Sequence, residues 1–387
     1  MNEARRPAPQ RRLASRAILL AVLAVAIALG VGRSQDSGPP QLPARPAPAG
    51  EGFGANVGRL FNGRPYPDAV IQAQLTALSA TGVTLARADA AWEASEPQAP
   101  LGNIHHYDWS FDDRIAAALA AHGLTWLPTI DYSAPWAQTT HGQDHSAPDP
   151  AEYAAYAAAV AARYGSHGTF WRANGQIPDR PVDTFEIWNE PDSPVFWVPK
   201  PNAQTYARLY LKARQAIDSV DPAARVIVGG LTEAATFLPA MLRALPVLRN
   251  HIDGVAVHPY GTTPHEVLAK LAQARQTLRS LGMARVPLYV TEFGWTTSPR
   301  GALDYLPERR RPTFIQQTLT ALGHTDCGLV AVLLYAWVTP ERDRASSQDW
   351  FGIHPPGSGS SPDTLAFQRG LRAATSPGPA VSVCAGG

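Results

Sequence analysis

The sequence is poor in charge and in the motifs that hold metals or phosphates. Charged residues make up 17% of the 387 positions and the net charge is +1, so no nucleic-acid partner is expected. There is no CxxC, no HExxH and no glycine-rich phosphate loop. His141, Asp144, His145 and Asp149 cluster without a metal-ligand spacing, and we interpret them as a solvated loop. The sequence therefore predicts neither a cofactor nor a metal.

The first 50 residues predict export. Residues 1–33 combine several arginines with an uncharged apolar run at 17–31, which is typical of a signal peptide or of an uncleaved signal anchor. Residues 34–50 form a proline-rich linker. The positive residues before the apolar run place the rest of the chain outside the cell. The protein is thus expected to be secreted, or held on the membrane by this segment.

Two stretches combine strand-forming residues with a terminal glutamate. They are T-F-E-I-W-N-E-P-D at 184–192, with Glu190, and L-Y-V-T-E-F-G-W at 288–295, with Glu292. A carboxyl group where a buried strand opens into a loop is poorly solvated, which raises its pKa and suits a proton donor. A single Asn-Glu-Pro is equally compatible with a plain turn. Because the same arrangement of strand-forming residues and a terminal glutamate occurs twice, we favour a functional interpretation.

The spacing of these stretches indicates a barrel. Glu190 and Glu292 are 102 positions apart (292 − 190), close to three strand-plus-helix units of a fold that needs roughly 250 residues for eight. From residue 52 onward, short apolar segments alternate with longer Ala- and Leu-rich ones, as in successive β-α units. The pattern predicts an α/β protein with a single (β/α)8 TIM barrel at 51–376 and a tail at 377–387. Strands four and seven hold the two glutamates, and the other strands are predicted at 52–57, 83–88, 125–130, 226–229, 254–258 and 329–336.

Further polar and aromatic residues fall at the predicted strand ends, where a TIM barrel builds its site. Glu186, two residues into the same strand as Glu190, should lie deeper in the barrel on the same side. The candidates for substrate binding at strand ends are Arg87, Trp92, Tyr132, Trp136, Asn189, His258, Tyr260, Trp295 and Trp337.

The only two cysteines are Cys327 and Cys384. The first precedes the predicted last strand and the second lies in the tail, so both are expected on the non-catalytic face of the barrel. Export permits disulfides, and we predict a bridge that staples the tail, with two free thiols as the alternative.

Several of these motifs resemble those of clan A retaining glycoside hydrolases. The resemblance is carried by W-N-E-P at 188–191, E-F-G-W at 292–295, H-P-Y at 258–260, an arginine on strand two and a tryptophan on strand eight. The stretches A-R-A-D-A-A-W-E-A-S-E-P at 86–97 and D-W-F-G-I at 349–353 are similar to the family 39 branch, which includes xylosidases, iduronidases and bacterial exopolysaccharide hydrolases.

The resemblance implies a role for each matching residue. It makes Glu190 the acid/base and Glu292 the nucleophile. It also implies that Asn189 binds the 2-hydroxyl of the substrate and that Arg87 pairs near Glu292. Contacts are further implied for Tyr260 with the nucleophile and for Trp337 under the cleaved sugar.

The expected function is hydrolysis of O-glycosidic bonds, of the β kind, in an extracellular polysaccharide, with retention of configuration. Two alternatives stay open at this point. A carbohydrate-binding barrel without activity would share the aromatic cleft, and a transglycosylase would use the same two glutamates with a sugar as acceptor.

Overall fold

The computed structural model describes residues 52–62, 66–298, 304–339, 342–357 and 359–385. The predicted export segment and the proline-rich linker lie outside these ranges. Within them, none of the helices combines the length and the apolar character needed to cross a membrane.

Eight parallel strands close into a barrel in sequence order, with β1 paired to both β2 and β8. This is the predicted TIM barrel. The strands are β1 Gly52–Asn56, β2 Leu85–Ala91, β3 Thr125–Asp131, β4 Thr184–Ile187, β5 Arg225–Leu231, β6 Gly254–Val257, β7 Leu288–Val290 and β8 Leu329–Leu334.

Helices follow the strands and cover the barrel from outside. In the described residues they are α1 Asp68–Ser79, α2 Trp92–Ser95, α3 Ser110–Ala121, α4 Pro150–Tyr164, α5 Thr169–Ala173, α6 Ala203–Val220, α7 Ala234–Ala244, α8 Pro264–Ser280, α9 Arg311–His324 and α10 Pro362–Thr375.

The structure corrects the predicted positions of the two glutamates. Strand β4 ends at Ile187 and strand β7 at Val290, so Glu190 and Glu292 lie in the loops just beyond their strands. In contrast, β2 continues past the predicted boundary to Ala91. Its longer ladder with β3 runs over seven residue pairs, which holds both strands in extended geometry up to the mouth of the barrel.

Tyrosines on two of the helices tie the outer layer to the ends of the strands. Tyr153 of α4 donates its hydroxyl hydrogen to the carbonyl oxygen of Ile130 over 2.6 Å, and Tyr206 of α6 donates to that of Ile187 over 2.7 Å. Both tyrosines are fully buried. Because a buried carbonyl without a donor is costly, these contacts fix where the site loops leave β3 and β4.

Cys327 and Cys384, which are 57 positions apart along the chain, form a disulfide. Asp326 accepts hydrogen bonds from the backbone N–H groups of Val383 and Cys384, at 2.9 and 2.7 Å. The tail is therefore fastened beside the start of β8, the face of the barrel away from the strands' carboxyl ends.

A buried carboxyl group in the outer layer makes stability depend on pH. Asp112 of α3 is fully buried, accepts from Ser95 over 2.7 Å, and has a pKa that burial raises to about 7. Folding thus favours the protonated form of Asp112. The contribution of this carboxyl group to the free energy of unfolding is fully present below pH 4 and is lost as the pH rises toward 7. The loss is about 4 kcal/mol, since each unit of pKa difference corresponds to about 1.4 kcal/mol.

We expect Asp112→Asn to keep nearly the same melting temperature as the wild type at pH 3.5 and to exceed it at pH 8. Thermal unfolding at both pH values tests this, with the exposed Asp68→Asn as the control. Parallel pH profiles for wild type and Asp112→Asn would contradict the assignment.

Candidate active site

A cavity of about 740 Å³ opens at the carboxyl ends of the strands. It lies where the sequence predicted the site of a TIM barrel. Six of the predicted residues line it together with Glu292. These six are Arg87, Tyr132, Asn189, Glu190, His258 and Tyr260.

The loop that carries Glu190 has unusual backbone geometry. Trp188 and Glu190 adopt positive φ angles of 67° and 44°, a region that residues with side chains rarely occupy. Trp188 is held there because it is fully buried and its indole N–H donates to the carbonyl oxygen of Phe196 over 2.7 Å. Strained backbone that packing keeps in place is characteristic of functional sites. Here it turns the Glu190 carboxyl group into the cavity.

The environment of Glu190 favours its protonated form. Burial raises the pKa of this carboxyl group to about 7, with Arg87 opposing the rise and Glu186 adding to it. The nearest ring is that of His258, whose Nδ1 lies 2.8 Å from Glu190 Oε1. Burial lowers the pKa of His258. A carboxyl group that titrates near neutral pH can both give and take a proton under ordinary conditions.

Glu292 is surrounded by hydrogen-bond donors. Arg87 Nη1 donates to Glu292 Oε1 over 2.6 Å, and the Tyr260 hydroxyl donates to Oε2 over 2.7 Å. Donors on both oxygens, one of them a cation, stabilise negative charge on the carboxylate. The structure thus gives the two glutamates opposite surroundings, one favouring the proton and the other the charge.

Arg87 connects the two loops from inside the barrel. Its guanidinium also donates to Asn189 Oδ1 over 2.9 Å, to Asn56 Oδ1 over 3.0 Å and to Glu186 Oε2 over 2.7 Å. Burial lowers the pKa of Arg87, but Glu186 and Glu292 outweigh that effect and raise the pKa well above its ordinary value. A planar fork of donors can hold several acceptors in fixed relative positions.

Two residues of the site, Asn56 and Phe196, have no clear signal in the sequence. Asn56 ends β1, where it also donates to the carbonyl oxygen of Thr291 over 2.9 Å. Phe196 lines the cavity and stacks on Tyr132, with the ring centroids 6.2 Å apart. A strand-end position could have suggested Asn56, whereas Phe196 belongs to a loop whose path the sequence does not determine.

The structure corrects the expectation for four tryptophans, none of which lines the cavity. Trp92, Trp295 and Trp337 are fully buried, and Trp136 packs against the core. Each indole N–H donates to a protein group: those of Trp92 and Trp136 to Glu96, of Trp295 to the carbonyl oxygen of Gly261, and of Trp337 to that of Gln74. Their hydrogen bonds and apolar surfaces are used inside the fold, so we assign them no contact with a sugar.

One oxygen of Glu190, one of Glu292 and a ring nitrogen of His258 all lie within 4.8 Å of one another. Such spacing is compatible with three metal ligands. The Arg87 guanidinium, however, lies 2.6 Å from Glu292 and would repel a cation, and Tyr260 already donates to the other oxygen. Hydrogen bonding accounts for the cluster, and we assign no metal to it.

Glu190 and Glu292 present carboxyl oxygens within 4.8 Å of each other, in surroundings that favour a proton on the first and negative charge on the second. Cleavage of an acetal uses such a pair of carboxyl groups. The sequence agrees with that chemistry, since residues 151–352 match the family model described as the glycosyl hydrolase catalytic core.

The chain belongs to this glycosyl hydrolase family.

Individual relatives match only part of this glycosyl hydrolase. A β-xylosidase from Geobacillus stearothermophilus is 28% identical over 137 residues, which cover 30% of this chain and 26% of that protein. The chain thus spans about a quarter of this curated relative.

Solved structures share the fold of this glycosyl hydrolase over most of its length. A monomeric β-xylosidase from Caulobacter crescentus has a TM-score of 0.63 at 21% identity, covering 83% of this chain and 69% of the other. A family 39 glycoside hydrolase from Bacteroides cellulosilyticus has a TM-score of 0.60 at 18% identity, covering 83% and 63%.

Gly230 of β5 leaves room for His258 in this glycosyl hydrolase. A Cβ at residue 230 would lie 2.0 Å from His258 Nε2. We expect Gly230→Ala to displace the ring from Glu190, to cost roughly 1–3 kcal/mol of stability through overpacking, and to reduce activity at least about tenfold. Glycosidase assays and thermal unfolding test this. The matched control is Gly175→Ala, since a Cβ there meets nothing within 4 Å. Full activity of Gly230→Ala would show that the position of His258 does not matter.

Proposed function

We propose that this protein is a retaining glycosidase that cleaves β-linked O-glycosidic bonds in a polysaccharide outside the cell. The observation that carries the mechanism is the separation of Glu190 and Glu292, which present carboxyl oxygens within 4.8 Å of each other. Retaining glycosidases hold their carboxyl groups about 5–5.5 Å apart, whereas inverting ones leave about 6.5–9.5 Å for a water molecule. The short separation supports direct attack by one carboxylate on the sugar.

In the first step Glu292 attacks the anomeric carbon while Glu190 donates its proton to the leaving oxygen. The hydrogen bonds from Arg87 and Tyr260 orient the Glu292 carboxylate for this attack. In the second step Glu190, now a carboxylate, takes a proton from a water molecule as the water oxygen attacks the anomeric carbon. The bond to Glu292 breaks, and the sugar is released with its original configuration. The Glu190 pKa of about 7, raised by burial, suits both halves of this cycle.

The substrate proposal rests on the cavity and on the relatives. The cavity wall includes the stacked pair of Tyr132 and Phe196, a surface suited to the flat face of a sugar ring. The relatives named as β-xylosidases support a β-linked substrate. The apolar, arginine-preceded segment at the N-terminus supports export. A polysaccharide outside the cell fits these observations together.

The test is hydrolysis by the full chain. We would quantify reducing ends released from a panel of β-linked polysaccharides, together with cleavage of 4-nitrophenyl β-glycosides, and follow the first anomer formed by proton NMR. We expect initial release of the β-anomer. An α-anomer as the first product would overturn the retaining mechanism. Binding of a polysaccharide without any cleavage would instead favour a carbohydrate-binding barrel.

A further inference from the structure

Behind the two catalytic glutamates, a chain of hydrogen bonds runs from Glu186 through Thr291 and His258 to Glu190. We propose that Glu186 and Thr291 fix the tautomer of His258, so that the hydrogen shared by His258 and Glu190 belongs to Glu190. The tautomer follows from the hydrogen bonds together with the burial of the ring. Its catalytic meaning rests on the proposed function, in which Glu190 is the proton donor.

The chain begins at Glu186, which is fully buried and accepts on both oxygens. Its Oε2 accepts from Arg87 Nε over 2.7 Å and from Thr129 Oγ1 over 3.3 Å. Its Oε1 accepts from the backbone N–H of Gly230 over 2.8 Å and from Thr291 Oγ1 over 3.1 Å. With four donors directed at it, one of them a guanidinium, Glu186 has no need to donate.

Thr291 has a single hydroxyl hydrogen, which it donates in the hydrogen bond to Glu186. The oxygen of that hydroxyl lies 3.0 Å from His258 Nε2 and can therefore only accept there. The N–H of His258 must then be on Nε2. Because burial lowers the pKa of His258, the ring is neutral and carries only this one N–H. Nδ1 is left with a lone pair.

This lone pair points at Glu190 Oε1, 2.8 Å away. Two lone pairs at that distance repel, so the contact needs a hydrogen, and only the Glu190 carboxyl group can supply it. The charged and titratable groups facing Glu190 and His258 come from strands and loops alike, and they are Arg87, Glu186, Asp192, Tyr260 and Glu292. The relay thus holds Glu190 in its protonated form before a substrate arrives.

Thr291→Val removes the hydroxyl and preserves the shape of the side chain. Nε2–H would then lack an acceptor in a buried place, whereas a hydrogen on Nδ1 would find the Glu190 carboxylate. The ring is expected to change tautomer and to stabilise the ionised form of Glu190. Thr291→Ser keeps the hydroxyl and is the matched control. Glu186 keeps all four donors in Thr291→Ser and three of them in Thr291→Val, so the fold should persist.

The first measurement needs no substrate. Histidine side-chain ¹⁵N spectra of the full chain report which ring nitrogen carries the hydrogen, and the His258 signals are identified by their loss in His258→Gln. We expect hydrogen on Nε2 in the wild type and in Thr291→Ser, and on Nδ1 in Thr291→Val. Hydrogen on Nδ1 in the wild type would overturn the proposal by itself.

The second measurement tests the consequence for catalysis. On an aryl glycoside that the wild type cleaves, the basic limb of kcat/KM should move down by about one pH unit or more in Thr291→Val, and stay in place in Thr291→Ser. The loss should be larger for a phenyl than for a 2,4-dinitrophenyl leaving group, which needs little acid assistance. An equal loss for both groups with an unmoved limb would mean that Thr291 acts only structurally. If the wild type cleaves no glycoside, the proposed function fails while the spectra still decide the tautomer.

Discussion

Glu292→Gln is expected to reduce kcat/KM by about 10⁴-fold or more, the scale on which loss of a covalent nucleophile acts in other hydrolases. The amide has nearly the shape of the carboxylate, but it neither attacks the anomeric carbon nor carries the charge that Arg87 and Tyr260 stabilise. Steady-state kinetics with an aryl β-glycoside measure the loss. A 2-deoxy-2-fluoro glycoside, which forms a slowly hydrolysed intermediate, should label the wild type at Glu292, as mass spectrometry of peptides can show.

The matched control for this variant is Glu93→Gln. Glu93 is an exposed carboxylate that follows β2 but does not line the cavity. Its loss should leave kcat/KM unchanged within a factor of about two, since surface substitutions away from a site have small effects. A label on any residue other than Glu292 would refute the assignment of the nucleophile.

Glu190→Ala is expected to show a second, more selective loss. General acid catalysis contributes about 10²- to 10⁴-fold, so a loss of this size should appear with phenyl or alkyl leaving groups. The loss should nearly vanish for the first, bond-cleaving step when the leaving group is 2,4-dinitrophenol, which needs little acid assistance. The wild-type kcat/KM should fall as the pH rises above about 7, because burial raises the Glu190 pKa to that value and only the protonated form donates. The variant should lose this limb.

Added azide provides the control for the acid/base assignment. A small anion can enter the space left by the truncated side chain and attack the sugar on Glu292 without help from a base. We therefore expect azide to accelerate Glu190→Ala with the dinitrophenyl substrate and to yield a β-glycosyl azide, with no acceleration of the wild type. An unchanged basic limb in Glu190→Ala would assign the titration to another group.

The two glutamates could be predicted from the sequence because the residues before them follow the local composition preferences of buried strands. Runs such as Thr184–Ile187 are buried in the structure as the β-branched and aromatic composition suggested. In a barrel of parallel β-α units, every strand end then points to the same rim. Glu190 and Glu292 therefore came together without any knowledge of loop geometry.

The tryptophans show where that reasoning stops. A position after a strand fixes how near the rim a residue lies, but the path of the loop decides whether its side chain turns inward or outward. Trp337 follows β8 and yet stacks on His354, with the ring centroids 4.5 Å apart, inside the core. Helix α7 contains Pro239, although proline usually interrupts a helix, so residue preference alone does not indicate this helix.

By itself the sequence determined the repeating β-α architecture, the two glutamates that we propose as catalytic and the residues at the barrel rim, because these depend on hydrophobic patterns that extend over only a few residues. Only the tertiary structure decided which aromatic rings reach the cavity and which side chains surround His258 and Glu190. Those features depend on hydrogen bonds between residues such as Thr291 and Glu186, which are 105 positions apart. Closure of the barrel brings such residues together, and no local pattern records which donor then meets which acceptor.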